Sequence, residues 1–242
     1  MWGELDTAEQ RIVSDRYRIR AFPVVVAAGI RVGIIRSYDD TLEMALQQLG
    51  VPYTLLDAQA LSQGDLSAYD TILVDIRAYL VRKDLVANNR RVLDYVYQGG
   101  HLVVFYHKIW EWNEEHGHPP YAPYPLQLSR KRVTNQQAPI KVLHPSHPLF
   151  TFPNPLEESD WEGWVQERGL YFPESWGPEF LPLLETADPG EEPLQGGYLL
   201  ASYGQGTYLY TCLSWYRQLR AGVPGGYRHL ANMISFPRSR RR

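Results

Sequence analysis

The sequence predicts a three-layer α/β/α sandwich built on a mostly parallel sheet, with antiparallel strands added in the C-terminal half. Three observations predict it. Asp70-Thr-Ile-Leu-Val-Asp-Ile-Arg-Ala-Tyr79 is a short run rich in β-branched and aliphatic residues, the pattern of a strand buried on both faces. Around it, strand-length apolar segments alternate with amphipathic helical ones over the first hundred residues. That alternation implies right-handed crossovers and helices on both faces of the sheet. Later, Leu181 to Glu185, Gly197 to Tyr203 and Gly206 to Leu213 read as further strands, the last two joined as a hairpin by Gly204-Gln205-Gly206.

Residues 1–29 read as a leader or linker, with Arg16, Arg18 and Arg20 alternating with Tyr17 and Ile19 as an edge strand would. The core domain runs over 30–236. Arg31 to Arg36 is its first strand, and Ser37-Tyr38-Asp39-Asp40 caps a helix whose buried stripe is Leu42, Ala45, Leu46 and Leu49, stopped by Gly50. Val51 to Asp57 is a second strand, a loop at Ser62 to Ser67 leads to the pivotal one, and Asp84 caps a helix striped by Leu85, Val92, Leu93 and Val96. Gly99-Gly100 ends that helix, and His101 to Tyr106 is the fourth strand. Residues 108–136 then hold Trp110, Trp112, Tyr121 and Tyr124 with few aliphatics. So many rings imply an ordered excursion packed on the domain. Pro139 to Leu143 is a further strand, Tyr227 to Ser235 a closing helix, and residues 237–242 a basic tail.

With 242 residues and 44% hydrophobic content the chain can bury one sizeable core. Its formal net charge of -3 offers no general attraction to nucleic acid or an anionic membrane, so neither is an expected partner. One cysteine, Cys212, excludes an intrachain disulfide and a cysteine zinc cluster. No stretch approaches a membrane span or a signal peptide, so a soluble chain is expected, cytoplasmic if it stands alone.

Several stretches, taken in order, resemble the class I glutamine amidotransferase-like domain found C-terminally in large PIG-L (LmbE-like) deacetylase proteins. They are Asp75-Ile76-Arg77-Ala78-Tyr79, Tyr95 to Gly100, Pro123-Tyr124-Pro125-Leu126 with Ser129-Arg130 and Arg132-Val133-Thr134, His147-Pro148-Leu149, Trp161 to Pro173, Asp188 to Leu194, and Gly225-Gly226-Tyr227-Arg228. The resemblance spans about Arg31 to Ser235 and implies a flavodoxin-like sheet. It also implies an association with sugar deacetylases, so a glycan or a partner chain such as a deacetylase module is the expected ligand. Two departures stand out. The acidic pair Asp39-Asp40 follows Ser37-Tyr38 with no histidine, so the zinc-binding His-Pro-Asp-Asp motif of the deacetylase module is missing. Where an amidotransferase carries its nucleophilic cysteine this chain has Arg77, which stays cationic and cannot attack.

Strand ends in such sheets face the ligand crevice, which makes Arg77, Tyr79, His107 and Asp39 binding candidates. The bland alternative for Arg77 is an internal ion pair with Asp39, Asp40 or Glu167. His107 is expected beside Arg77, and with His116, His118, His144 and His147 it raises a divalent metal site, although the spacing fits no strong signature. Trp161, Trp164, Glu167 and Arg168 combine rings and charges as saccharide sites do, and as half-buried packing clusters also do. No catalytic residue, metal or cofactor is assigned. The expected function is a non-catalytic accessory domain binding a glycan or partner chain. The alternatives are a small deacetylase- or glycosidase-like hydrolase acting on carbohydrate substrates, with or without a metal, using His107 with Asp39 or Glu167, and an oligomerisation module.

Overall fold

The computed structural model describes residues 20–240, so Arg16 and Arg18 of the expected leader, and Arg241 and Arg242 of the tail, lie outside the described residues. Seven strands form one sheet: β1 (Val32–Ile35), β2 (Tyr53–Leu55), β3 (Thr71–Val74), β4 (His101–Val104), β10 (Phe180–Pro182), β12 (Tyr198–Tyr203) and β13 (Gly206–Thr211). Between β4 and β12 the chain also makes β5 (Leu126–Leu128), β6 (Arg132–Val133), β7 (Ile140–Val142), β8 (Gly169–Leu170), β9 (Pro173–Trp176) and β11 (Leu184–Thr186). The sheet order is β10-β12-β13-β4-β3-β1-β2. Strands β2, β1, β3, β4 and β13 run parallel, which is the flavodoxin-like order, while β12 and β10 are antiparallel additions.

The hairpin explains why β13 runs with β4 rather than against it. The chain returns down β12, turns at Gly204-Gln205, and so re-enters the sheet in the direction of β4. Leu181 to Glu185 is not one strand: it divides at Leu183 into β10, in the main sheet, and β11, which pairs with β7 outside it. The other short strands pair as β5 with β9 and β6 with β8, forming two-stranded ribbons outside the main sheet.

Helices α1 (Thr41–Gln48), α2 (Ala58–Gln63), α3 (Ala78–Val81), α4 (Lys83–Tyr97), α5 (Ile109–Trp112), α6 (Pro148–Thr151), α7 (Trp215–Arg220) and α8 (Pro224–Ser239) complete the layers. Helix α4 packs on α2, α3 and β13, whereas α8 packs on α6, α7, β3 and β4 and α7 packs on α1. Every residue of β1, β3, β4 and β13 is buried, so the continuous apolar runs in their sequences are the consequence of helices on both faces.

Helix α8 extends past the expected Ser235 and takes in part of the basic tail. Arg238 reaches the buried Asp70 carboxylate at 3.0 Å, and Arg31 reaches the same group at 3.1 Å. Phe22 to Gly29 forms no strand. Its backbone is pinned instead by Asn154, which exchanges two hydrogen bonds of 2.8 Å with Val25, and by the Ser235 hydroxyl, which accepts from Ala27 N–H. At its first turn α8 approaches the chain so closely that a Cβ on Gly225 would collide with the Asp160 carbonyl oxygen. Among the described residues, no helix is long and apolar enough to cross a membrane.

Candidate functional site

After β3 the chain makes a tight turn into α3, and Arg77 sits at the turn with φ 53° and ψ 24°. A side chain with a Cβ costs about 1–2 kcal/mol in this left-handed region, so the surroundings must hold it there. The Arg77 N–H donates to the Tyr106 carbonyl at 2.9 Å, fastening the turn to the end of β4. Its Nε donates to Glu111 Oε1 at 2.7 Å, Nη2 donates to the same oxygen, and Nη1 donates to the Tyr38 hydroxyl at 3.3 Å. Glu111 is fully buried at the third position of α5, and its hydrogen bonds hold the Arg77 pKa above its ordinary value. The expected ion pair therefore exists with a different carboxylate. Asp39 and Asp40 pair with Arg220, at 3.3 and 2.5 Å, and Glu167 pairs with Arg217 at 2.7 Å.

A cleft of about 410 Å³ opens over this turn. Tyr38 and Asp39 enter it from the loop after β1, Ile76 and Arg77 from after β3, Tyr106 and Lys108 from after β4, and Tyr216 and Arg217 from after β13. Arg130, Arg132, Leu170 and Tyr171 close the far wall from the ribbon of β6 and β8. The cleft thus lies beyond the carboxyl ends of the parallel strands and includes the β1/β3 switch point, where α/β sheets place ligands. Its volume falls within the range of about 300–1,000 Å³ for small-molecule sites. Tyr171 also has a left-handed backbone, φ 55°, so two of the three described non-glycine residues with positive φ face this space.

Asp75 holds the two lips together. It is buried at the end of β3 and accepts from Ser37 N–H at 3.0 Å, the Ser37 hydroxyl at 2.6 Å and Ile76 N–H at 2.8 Å. Burial pushes its pKa up to about 6, against the hydrogen bonds from Ser37 that oppose the rise. Burial likewise raises the Tyr106 and Tyr216 phenols above their ordinary value.

The other expected site residues are placed elsewhere. Tyr79 is 3% exposed, points away from the cleft, stacks on Tyr121 at 4.1 Å and donates to Asn89 Oδ1 at 2.6 Å. His107 is fully buried beneath the elbow: its Nε2 accepts from Tyr79 N–H at 3.2 Å, so Nδ1 carries the proton toward Phe105 O at 2.7 Å. Both nitrogens are used and burial lowers its pKa to about 3, so His107 serves neither as a crevice ligand nor as a base. Among the described residues no three His, Cys, Asp or Glu side chains converge to hold a metal. Cys212 lies buried just past β13, and desolvation pushes its thiol well above the ordinary value.

Trp161, Trp164 and Arg168 are also interior. The two tryptophans pack on each other at 5.8 Å and on Trp215 at 6.0 and 5.1 Å, with the His229 ring 4.2 Å from Trp161. Arg168 lies over Trp164 and donates to the carbonyls of Ala138 and Trp161 at 2.9 and 2.6 Å, and burial lowers its pKa to about 10. Glu167 alone of this group borders the cleft, through Arg217. The residues missed in sequence, above all Glu111, Lys108, Arg130 and Arg132, belong to the excursion, where no periodic pattern tells which charges point inward. The available clue was Arg130 and Arg132 two residues apart on one ribbon.

No protein-family model and no curated protein matches the sequence. Among solved structures the chain is similar to the cytoplasmic protein STM3548 from Salmonella typhimurium, with 15% identity and a TM-score of 0.52 over 86% of this chain and 98% of that one. It is similar to the cold-adapted β-galactosidase from Rahnella sp. R3, with 13% identity and a TM-score of 0.53 over 89% of this chain and 32% of that one. The β-galactosidase from Bacillus circulans sp. alkalophilus gives 11%, 0.52, 87% and 31%. This chain therefore spans about a third of each galactosidase and nearly all of the Salmonella protein. At these identities the likeness establishes the three-layer fold.

Proposed function

We propose that the chain is a non-catalytic, amidotransferase-like accessory domain that binds a glycan or a partner chain in the strand-end cleft, of the kind associated with PIG-L-type sugar deacetylases. One observation carries this reading: the left-handed turn after β3, where attack would need a thiolate, is filled by a guanidinium clamped to the buried Glu111. Cys212 is a poor substitute, since its thiol is buried and desolvation holds its pKa well above the ordinary value, against the thiolate that attack needs. The rings and cations of the cleft support binding. The fold's likeness to segments of two β-galactosidases supports a carbohydrate setting. The rival hydrolase loses the His107 on which it relied.

A glycan array and a panel of N-acetylated sugars, with and without added zinc, test the proposal. Saccharide or partner-chain binding without turnover is expected. Turnover that Asp39→Asn abolishes, with the melting temperature unchanged, would overturn it.

A further inference from the structure

Charge accounting within the cleft narrows what it holds. Arg77 is neutralised by Glu111 and Arg217 by Glu167, while Asp39 and Asp40 share the single guanidinium of Arg220. Against that one unbalanced carboxylate stand three further cations. Arg130 and Arg132 have exposed guanidinium groups with no ion-pair partner among the described residues. Lys108 is anchored by rings instead of a carboxylate, with its Nζ 5.2 Å from the Trp110 centroid and 6.0 Å from that of Tyr171. A protein of net charge -3 has thus gathered cations without a carboxylate partner in its strand-end cleft.

The floor has a second character. Tyr171, Tyr106 and Tyr216 follow one another at 5.9 and 6.2 Å between ring centroids, with interplanar angles of 54° and 29°. A pyranose needs only one ring under its apolar face, with phenols in reach of its hydroxyls.

From these two features, and resting on the ligand-binding reading above, we propose that the cleft takes an anionic saccharide, with its phosphate or carboxylate between Lys108, Arg130 and Arg132 and its sugar ring on the tyrosine floor. Guanidinium forks suit either anion, and exposure of Arg130 and Arg132 makes the attraction salt-dependent.

Titration calorimetry with glucose, glucose 6-phosphate, glucuronate, inorganic phosphate and adenosine monophosphate tests this. At low salt, glucose 6-phosphate or glucuronate is expected to bind about tenfold or more tighter than glucose and than inorganic phosphate. The stronger of the two identifies the anion. The double variant Arg130→Ala/Arg132→Ala is expected to lose about tenfold for the anionic sugar, with glucose affinity and melting temperature unchanged. Glucose binding as tightly as its anionic forms, or an unaffected double variant, would overturn the inference while leaving ligand binding intact. Tighter binding of adenosine monophosphate than of either anionic sugar would overturn the saccharide assignment. Silence of the whole panel alongside a positive glycan array or partner chain would sink the inference alone, and silence in every assay would sink the parent reading too.

Discussion

Two regions of the molecule set aromatic rings beside arginines: the strand-end cleft, with Tyr38, Tyr171 and Tyr216 near Arg77, Arg130 and Arg132, and the cluster under α8, with Trp161, Trp164 and Trp215 near Arg168. Composition does not separate them. Burial and partners do, because Arg168 is buried with its Nε and Nη1 donating to the Ala138 and Trp161 carbonyls, whereas Arg130 and Arg132 are exposed and meet no carboxylate among the described residues. An arginine that finishes its hydrogen bonds inside the chain is part of the packing. One that does not is available to something else.

The comparison breaks most readily at the buried end. Trp215→Ala is expected to cost about 3–5 kcal/mol, since a fully buried ring that touches Trp161, Trp164 and His229 leaves a cavity its neighbours cannot fill. Urea unfolding measures it, and a loss under about 1 kcal/mol would mean that the cluster is not core. Glu111→Ala comes close behind, at about 3–5 kcal/mol, because it strands the Arg77 charge in a partly buried turn. Arg77→Met combined with Glu111→Leu should recover most of that loss, which identifies the pair as scaffold for the cleft.

An intermediate effect is expected from pH. Burial lowers His101, His107 and His229 from 6.5 to about 3, so between those values the unfolded chain binds more protons than the folded one. Their contribution is complete above pH 6.5 and drains away as pH falls toward 3. Asp75 acts oppositely: its pKa is raised from 3.8 to about 6, so its cost is present above pH 6 and is relieved as pH falls to 3.8. Three histidines outweigh one carboxylate, and unfolding free energies measured from pH 7 to 4.5 should decline. His229, whose ring nitrogens both lack a hydrogen-bond partner among the described residues, is the best single probe. His229→Phe should flatten the slope near pH 5 by about one proton, and an unchanged slope would place that titration elsewhere. The smallest effect falls at the open end, where Arg130→Ala/Arg132→Ala should leave stability within about 0.5 kcal/mol in the same unfolding assay.

Much of this architecture was legible in the chain. Continuous apolar runs marked β1, β3 and β4 because both sheet faces are covered, and the Leu42 to Leu49 and Leu85 to Val96 stripes marked α1 and α4 through their single buried faces. Helix α7 went unmarked because Trp215 to Arg220 is too short to show a period, and the division of Leu181 to Glu185 depends on two different partner strands. Within the site, the place of Arg77 after the pivotal strand was readable. Its bond to Glu111 was not, since 34 residues and a whole strand separate them.

By itself the sequence determined the α/β/α layering, the guanidinium at the elbow and the lack of a second cysteine, since these follow from local pattern and residue chemistry. Only the tertiary structure decided which charges cancel. Electrostatic partnership depends on distances of a few ångströms between remote segments, and in this chain it tied Arg77 to Glu111 and Arg217 to Glu167, while packing turned His107, Tyr79 and Arg168 inward and left Lys108, Arg130 and Arg132 lining the cleft.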